Sequence, residues 1–204
     1  MPPELRKPIE ELRFLLDRGY PKSYAVKFIS DHHRLHNQYR YILSRVVHST
    51  STVDVRRRKT VGCDELGGEI LWIDGYNVII TVEHLITGEH LFLCDDGFLR
   101  DIKGVFRSYK LTESSKKSVN LILDFIGYIK PEYTYFILDE KISKSGELAG
   151  YIRRELKSRG MKGEVKLSDC VDSELKNVKN GIVATADGII VDAVERVADL
   201  PMCV

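Results

Sequence analysis

No run of apolar residues in these 204 residues approaches the roughly 20 that a membrane-spanning helix needs, and the opening stretch MPPELRKPIE lacks the apolar core of a secretory leader. Both absences point to a protein that stays off the membrane and in the cytoplasm. Cysteine is scarce as well. Cys63, Cys94, Cys170 and Cys203 lie far apart and form no C-x-x-C pair, so the spacing argues for neither a disulfide framework nor a thiolate zinc site, and free thiols are expected. Internal repeats and low-complexity tracts are missing too. Net charge is nearly absent, at +1, but that balance conceals an asymmetry. Residues 1–59 carry 13 Lys and Arg against 6 Asp and Glu, whereas the remainder carries 18 against 24. A basic arm on an acidic body either docks on it or draws a polyanion toward it, and charge alone does not separate the two.

With 43% hydrophobic residues the chain can bury one core, or one core plus a small appendage. The appendage is helical by pattern. Pro8, Glu10 and Glu11, followed by Leu12, Leu15 and Leu16 on one face, mark a helix that stops at Gly19 before Pro21. A second helix is expected over residues 23–30. A third starts at Asn37 as its N-cap, with Ile42, Leu43, Val46 and Val47 as its buried stripe. From Ser49 onward Ser and Thr, the basic run Arg56-Arg57-Arg58-Lys59 and then Gly67-Gly68 read as a connection. A small basic helical domain is therefore expected over residues 1–60, a linker over 61–68 and a second domain over 69–204.

In that second domain apolar runs at residues 70–73, 133–138, 164–167 and 182–185 read as strands. They alternate with helical stretches at 77–85, 115–129, 146–158 and 172–178, and a last helix is expected over 188–198. Short, doubly buried strands separated by helices mean a parallel sheet covered on both faces. In such a sheet the functional crevice lies beyond the carboxyl ends of the strands. Every expected exit delivers an acid to that edge: Asp74 after the first strand, Asp139 and Glu140 after the second, Asp169 and Asp172 after the third, and Asp187 after the fourth. Taken singly, each is an ordinary turn or helix-capping carboxylate. Together they repel one another unless cations or protons offset them. Oxygen donors of this kind suit Mg²⁺ or Mn²⁺, which activate water and neutralise charge developing on a phosphodiester.

The residues at these exits carry a family likeness. Ile73-Asp74-Gly75-Tyr76-Asn77-Val78-Ile79 resembles the opening motif of the NYN branch of the PIN-like nucleases. Val171-Asp172-Ser173-Glu174-Leu175 is similar to that family's acid at a helix start, Val183-Ala184-Thr185-Ala186-Asp187 to its strand ending in Thr-Ser-Asp, and Ile137-Leu138-Asp139 to its second strand ending in Asp. The resemblance runs in order over residues 69–200. It implies a PIN-like, Rossmannoid three-layer α/β/α domain with a mostly parallel sheet and metal-dependent hydrolysis of RNA. It also implies that Asp74, Asp172 and Asp187 are metal ligands, Asn77 a supporting group and Asp139 a weaker ligand.

A segment at residues 88–111 is inserted relative to that pattern. Its acids, bases and glycines, Asp96, Gly97, Arg100 and Gly104 among them, followed by Arg107 and Lys110, suit either an ordinary polar connection or a lid or phosphate-binding loop that adds a metal ligand, the second being favoured for a long loop near a crevice. In the N-terminal part, Asp17-Arg18-Gly19-Tyr20-Pro21, Ser30-Asp31-His32-His33-Arg34-Leu35 and Arg40-x-x-Leu43-x-Arg45 resemble the helical domain of an uncharacterised, mainly archaeal two-domain family. His32, His33 and His36 have no Cys or Glu beside them in sequence, so a polar cluster is expected there rather than a metal site. Tyr39 and Tyr41, interleaved with Arg40 and Arg45, offer base stacking and phosphate pairing, or simply helix core.

These readings combine into one expectation: a Mg²⁺- or Mn²⁺-dependent ribonuclease. Asp74, Asp172 and Asp187 hold the metal, Asp139 or Asp96 complete its shell, and Arg107, Lys110, Arg100 and Arg40 bind RNA. The alternatives are a non-catalytic RNA-binding or scaffold protein with the same fold, and a phosphohydrolase for small phosphoesters. A homodimer rests on the general frequency of such assemblies alone.

Overall fold

The computed structural model describes residues 2–101, 109 and 111–204. Its elements in chain order begin with α1 (Arg6–Asp17), α2 (Lys22–His32), α3 (Asn37–Val46), α4 (Thr50–Arg58), β1 (Ile70–Asp74), α5 (Gly75–Thr87), β2 (Leu91–Leu93) and β3 (Leu99–Asp101). They continue with α6 (Glu113–Ile129), β4 (Tyr133–Asp139), α7 (Ser145–Ser158), β5 (Gly163–Ser168), α8 (Val171–Lys176), β6 (Ile182–Ala184), α9 (Gly188–Ala193) and β7 (Val197–Ala198). None of the described helices is long and apolar enough to cross a membrane. The chain forms two compact units, Met1–Arg58 with His90–Ile102, and Lys59–Glu89 with Lys103–Val204.

In the first unit the apolar stripes of α1, α2 and α3 meet in a core built on Leu5, Leu12, Ile29, Ile42, Leu43 and Val47. The antiparallel hairpin β2–β3 joins this core through Cys94 and Phe92. Residues 90–101 of the inserted segment are thus a structural part of the helical unit. Residues 50–58, expected to be a connection, are helix α4. Two caps explain this, a local one and a remote one that sequence alone does not reveal. Asp17, more than 30 residues upstream, accepts hydrogen bonds from Thr50 N at 2.6 Å and Thr50 Oγ1 at 3.0 Å, while Ser49 Oγ accepts from Thr52 N at 3.2 Å. Val53 and Arg56, one turn apart, then bury the same face.

The second unit is a five-stranded sheet in the order β5-β4-β1-β6-β7 with every pairing parallel. Its inner strands are lined with buried apolar residues, Leu71, Ile73, Phe136, Leu138, Ile182, Val183 and Ala184, whereas the edge strand β5 exposes Glu164 and Lys166. This is what helices on both sides of a sheet require. The chain steps outward from β1 to β4 and β5, then returns to the far side of β1 for β6 and β7, so the strand order reverses between β1 and β6. The two-residue β7 replaces the end of the helix expected over 188–198. Helix α9 stops at Ala193, and Val197 and Ala198 pair with Val183 and Ala184.

Cys63 and Cys203 form a disulfide, contrary to the expectation of free thiols; Cys94 and Cys170 are free. The two partners are 140 residues apart in sequence, but they are brought together near the two ends of this unit with a Cα–Cα distance of 5.7 Å.

Gly75 sets how closely the start of α5 approaches β4. A Cβ there would sit 2.4 Å from Leu138 Cδ2 and 3.0 Å from the Ile137 carbonyl oxygen. Gly75→Ala must push the β1–α5 turn away from β4, and is expected to lower stability by about 1–3 kcal/mol in a urea titration. The same turn carries Asp74 and Asn77.

Candidate functional site

The point where strand order reverses is stitched by side chains from both adjoining exits. Asp74 closes β1 and is buried, and its Oδ2 accepts a 2.8 Å hydrogen bond from Thr185 Oγ1 just beyond β6. The same hydroxyl oxygen accepts from Asp187 N at 3.1 Å. Asn77, in the first turn of α5, accepts from Ala186 N through its Oδ1 at 2.9 Å, so the amide is a brace between the two exits. Asp187 caps α9, with Oδ1 accepting from Ile189 N at 2.8 Å. Asp139 accepts from Lys141 N at 2.8 Å, and Lys141 Nζ in turn donates to the Asp169 carbonyl at 2.5 Å. Asp172 stands in the first turn of α8 and is exposed. Asp74, Asn77, Asp139, Asp172 and Asp187 line one crevice of about 670 Å³, together with Tyr76, Tyr109, Lys141, Ile142, Ser143 and Val171.

Burial pushes the Asp74 carboxyl up to about 7 from its ordinary 3.8; the Thr185 hydrogen bond opposes this, and the charges of Asp187 and Asp172 reinforce it. The crevice therefore disfavours ionisation of Asp74 unless a cation offsets the charge. Among the described residues its metal donors are oxygens, with no His or Cys in the lining, a set that fits a hard cation such as Mg²⁺ or Mn²⁺. No three of these acids bring their oxygens within 4.8 Å of one another; among the described residues only Glu11, His32 and His33 form such a trio. Open spacing of this kind suits a cation that keeps several of its waters, as Mg²⁺ does.

The remaining residues named from the sequence fall elsewhere. Asp96 lies in the first unit, where Arg56 Nη1 and Arg100 Nη1 each donate to it at 2.7 Å and Arg100 Nη2 at 2.8 Å. Both groups proposed for metal and substrate, Asp96 and Arg100, are thus occupied with each other in a buried ion pair. Arg40 donates to Asp31 at 2.5 Å, Tyr39 to Glu4 at 2.5 Å, and Arg45 to Tyr41 Oη at 3.0 Å. Arg107 and Lys110 lie outside the described residues.

Two lining side chains, Tyr76 and Lys141, and the adjacent Thr185 carry no assigned role in the sequence pattern. Tyr76 sits inside the Asp-Gly-Tyr-Asn motif, buried, with the Tyr109 ring edge-on at 5.1 Å and its phenol pushed upward by burial. Lys141 follows Asp139 by two residues and brings a cation to the acidic lining. Thr185 belongs to a quoted motif, but nothing in the sequence tells that its hydroxyl would be the partner of Asp74.

Residues 63–203 match the family described as Domain of unknown function (DUF5616), and the chain belongs to that family. Residues 4–59 match the one described as Protein of unknown function (DUF434). The chain is similar to an uncharacterised protein of Methanocaldococcus jannaschii, 35% identical over 198 residues that cover 96% of this chain and 94% of the relative. No solved structure matches the chain significantly.

Proposed function

We propose that the second unit is a PIN-like domain and that the protein is a metal-dependent ribonuclease acting at the strand-end crevice. The observation that carries this reading is the position and state of Asp74. It is a buried carboxyl held up to about 7, at the reversal of strand order, facing Asp187 and Asp172 in a crevice with only oxygen donors for a metal. Asp74, Asp172 and Asp187 would hold Mg²⁺ or Mn²⁺, with Asp139 as a further donor. Bound there, such an ion supplies activation of water and neutralises the charge that develops on a phosphodiester during in-line displacement. The chain itself does the rest. Thr185 and Asn77 keep the β1 and β6 exits in register, so that Asp74 and Asp187 stay fixed relative to one another. Lys141, anchored on the Asp169 carbonyl, meets a phosphate oxygen, and the rings of Tyr76 and Tyr109 form an apolar wall beside it. Among the described residues no His lines the crevice, which fits a reaction that needs no imidazole base.

The test is cleavage of labelled single-stranded and structured RNA by wild type and by Asp74→Asn, with Mg²⁺, Mn²⁺ or EDTA. Metal-dependent cutting is expected in the wild type and a loss of at least about 100-fold in the variant. Cutting that survives in pure, folded Asp74→Asn removes this assignment. RNA bound but uncut favours a binding module with the same fold, and neither cutting nor binding turns the search to small phosphoesters.

A further inference from the structure

We infer that Glu11, His32 and His33 form a site for a divalent transition metal of the zinc class in the first unit, with donor chemistry unlike that of the crevice. The polypeptide builds the trio from two helices. Gly19, at φ +80, turns the chain after α1 so that α2 runs back along it, and the end of α2 returns to the level of Glu11. His33 is the C-cap of α2 and has left helical geometry (φ −86, ψ 2). The His32 and His33 rings meet edge to face at 4.9 Å between centroids. Donor atoms of all three residues lie within 4.8 Å of one another.

An ordinary ion pair explains only part of this cluster. Glu11 Oε2 and His33 Nε2 are 2.6 Å apart, a full hydrogen bond, and Lys7 approaches the other Glu11 oxygen at 3.8 Å. Among the described residues the His32 side chain has no hydrogen-bond partner; its ring stacks on Phe28 at 6.2 Å, at an interplanar angle of 9°, and presents a nitrogen to the same point. Two imidazole nitrogens and one carboxylate oxygen are a donor set for Zn²⁺, Ni²⁺ or Co²⁺, and poor for Mg²⁺. Three protein ligands on a half-exposed rim leave the remaining positions to water, so the ion enters directly from solvent. Once bound, it clips the open end of the α1–α2 hairpin, opposite the turn at Gly19.

Metal-stripped, tag-free full-length protein, held in excess Mg²⁺ to occupy the crevice, should take up one equivalent of Zn²⁺ in a calorimetric titration. Its melting temperature should rise by roughly 5 °C at saturating Zn²⁺. His32→Asn and Glu11→Gln should each weaken Zn²⁺ binding by about tenfold or more and abolish that rise. His32 is exposed, so its variant keeps the fold, which circular dichroism without metal verifies. Asp74→Asn, which alters only the crevice, should bind Zn²⁺ as the wild type does. Zn²⁺ affinity unchanged in both His32→Asn and Glu11→Gln overturns the site, as does the absence of Zn²⁺ binding by wild type. Neither result bears on cleavage at the crevice, because the proposal does not depend on it.

Discussion

Asp74→Asn should make the chelator-treated protein more stable at neutral pH while removing its response to Mg²⁺. The folded state holds the Asp74 proton up to about pH 7, whereas the unfolded chain releases it near 3.8. Between those values the folded state binds more protons, so this group's contribution to stability is complete below about pH 4 and is lost as pH rises through about 7. Each tenfold difference in proton affinity is worth about 1.4 kcal/mol, which sets a ceiling of about 4 kcal/mol. Relaxation and water entry into an open crevice bring the expected gain from the neutral amide to about 2 kcal/mol, or roughly 5 °C in melting temperature. The gain should shrink as the pH is lowered toward 4, and Mg²⁺ should raise the melting temperature of the wild type only. A variant that is less stable than wild type at pH 7.5, or that still responds to Mg²⁺, would show that Asp74 is a structural acid.

Asp96→Ala carries the opposite expectation and the larger effect. The side chain of Asp96 is wholly buried between Arg56 and Arg100, themselves buried, and Phe98 N adds a hydrogen bond at 3.3 Å. Burial acts to raise its carboxyl, but the hydrogen bonds and charges of Arg100 and Arg56 prevail and hold it at about 2. Removing it leaves two guanidiniums in the interior beside Lys22, whose ammonium is already pushed down to about 8 by burial and by those same arginines. Loss of one member of a buried ion cluster costs about 3–5 kcal/mol, so the first unit should unfold early in urea and become sensitive to protease. Trp72, the single tryptophan, sits in β1 of the second unit and makes this local: its fluorescence should hold while the helices melt. For the same reason wild type should keep the pair's contribution above pH 3.8 and lose it as pH falls through about 2. An Asp96→Ala protein that is stable but inactive would instead return Asp96 to the catalytic reading drawn from the sequence.

What could be read in the sequence was whatever is written locally. Strands β1, β4, β5 and β6 announce themselves as apolar runs between helical patterns, and the acids at their exits follow once the sheet is parallel. Contacts over long separations were not legible. Helix α4 looks like a linker because its cap, Asp17, lies on another helix. The Cys63–Cys203 bond spans 140 residues, and nothing in the spacing singles out that pair. Asp96 reads as a metal ligand because an acid beside glycine in a polar loop is ambiguous until its arginine partners are located. Glu11 is invisible to a reading of the His32-His33 pair for the same reason: its proximity comes from the hairpin, not from the chain.

The placement of residues 90–102 in the first unit bears on how the protein is made. A ribosome delivers Arg56 long before Asp96, so the helical bundle emerges with an interior cation and an unfilled gap where Cys94 will pack. It can close only after β1 and α5 of the other unit have already been synthesised. The two units are therefore nested rather than strung in series. No single cut between residues 58 and 90 can release both intact, and a rearrangement that transfers one without the other must carry the hairpin across.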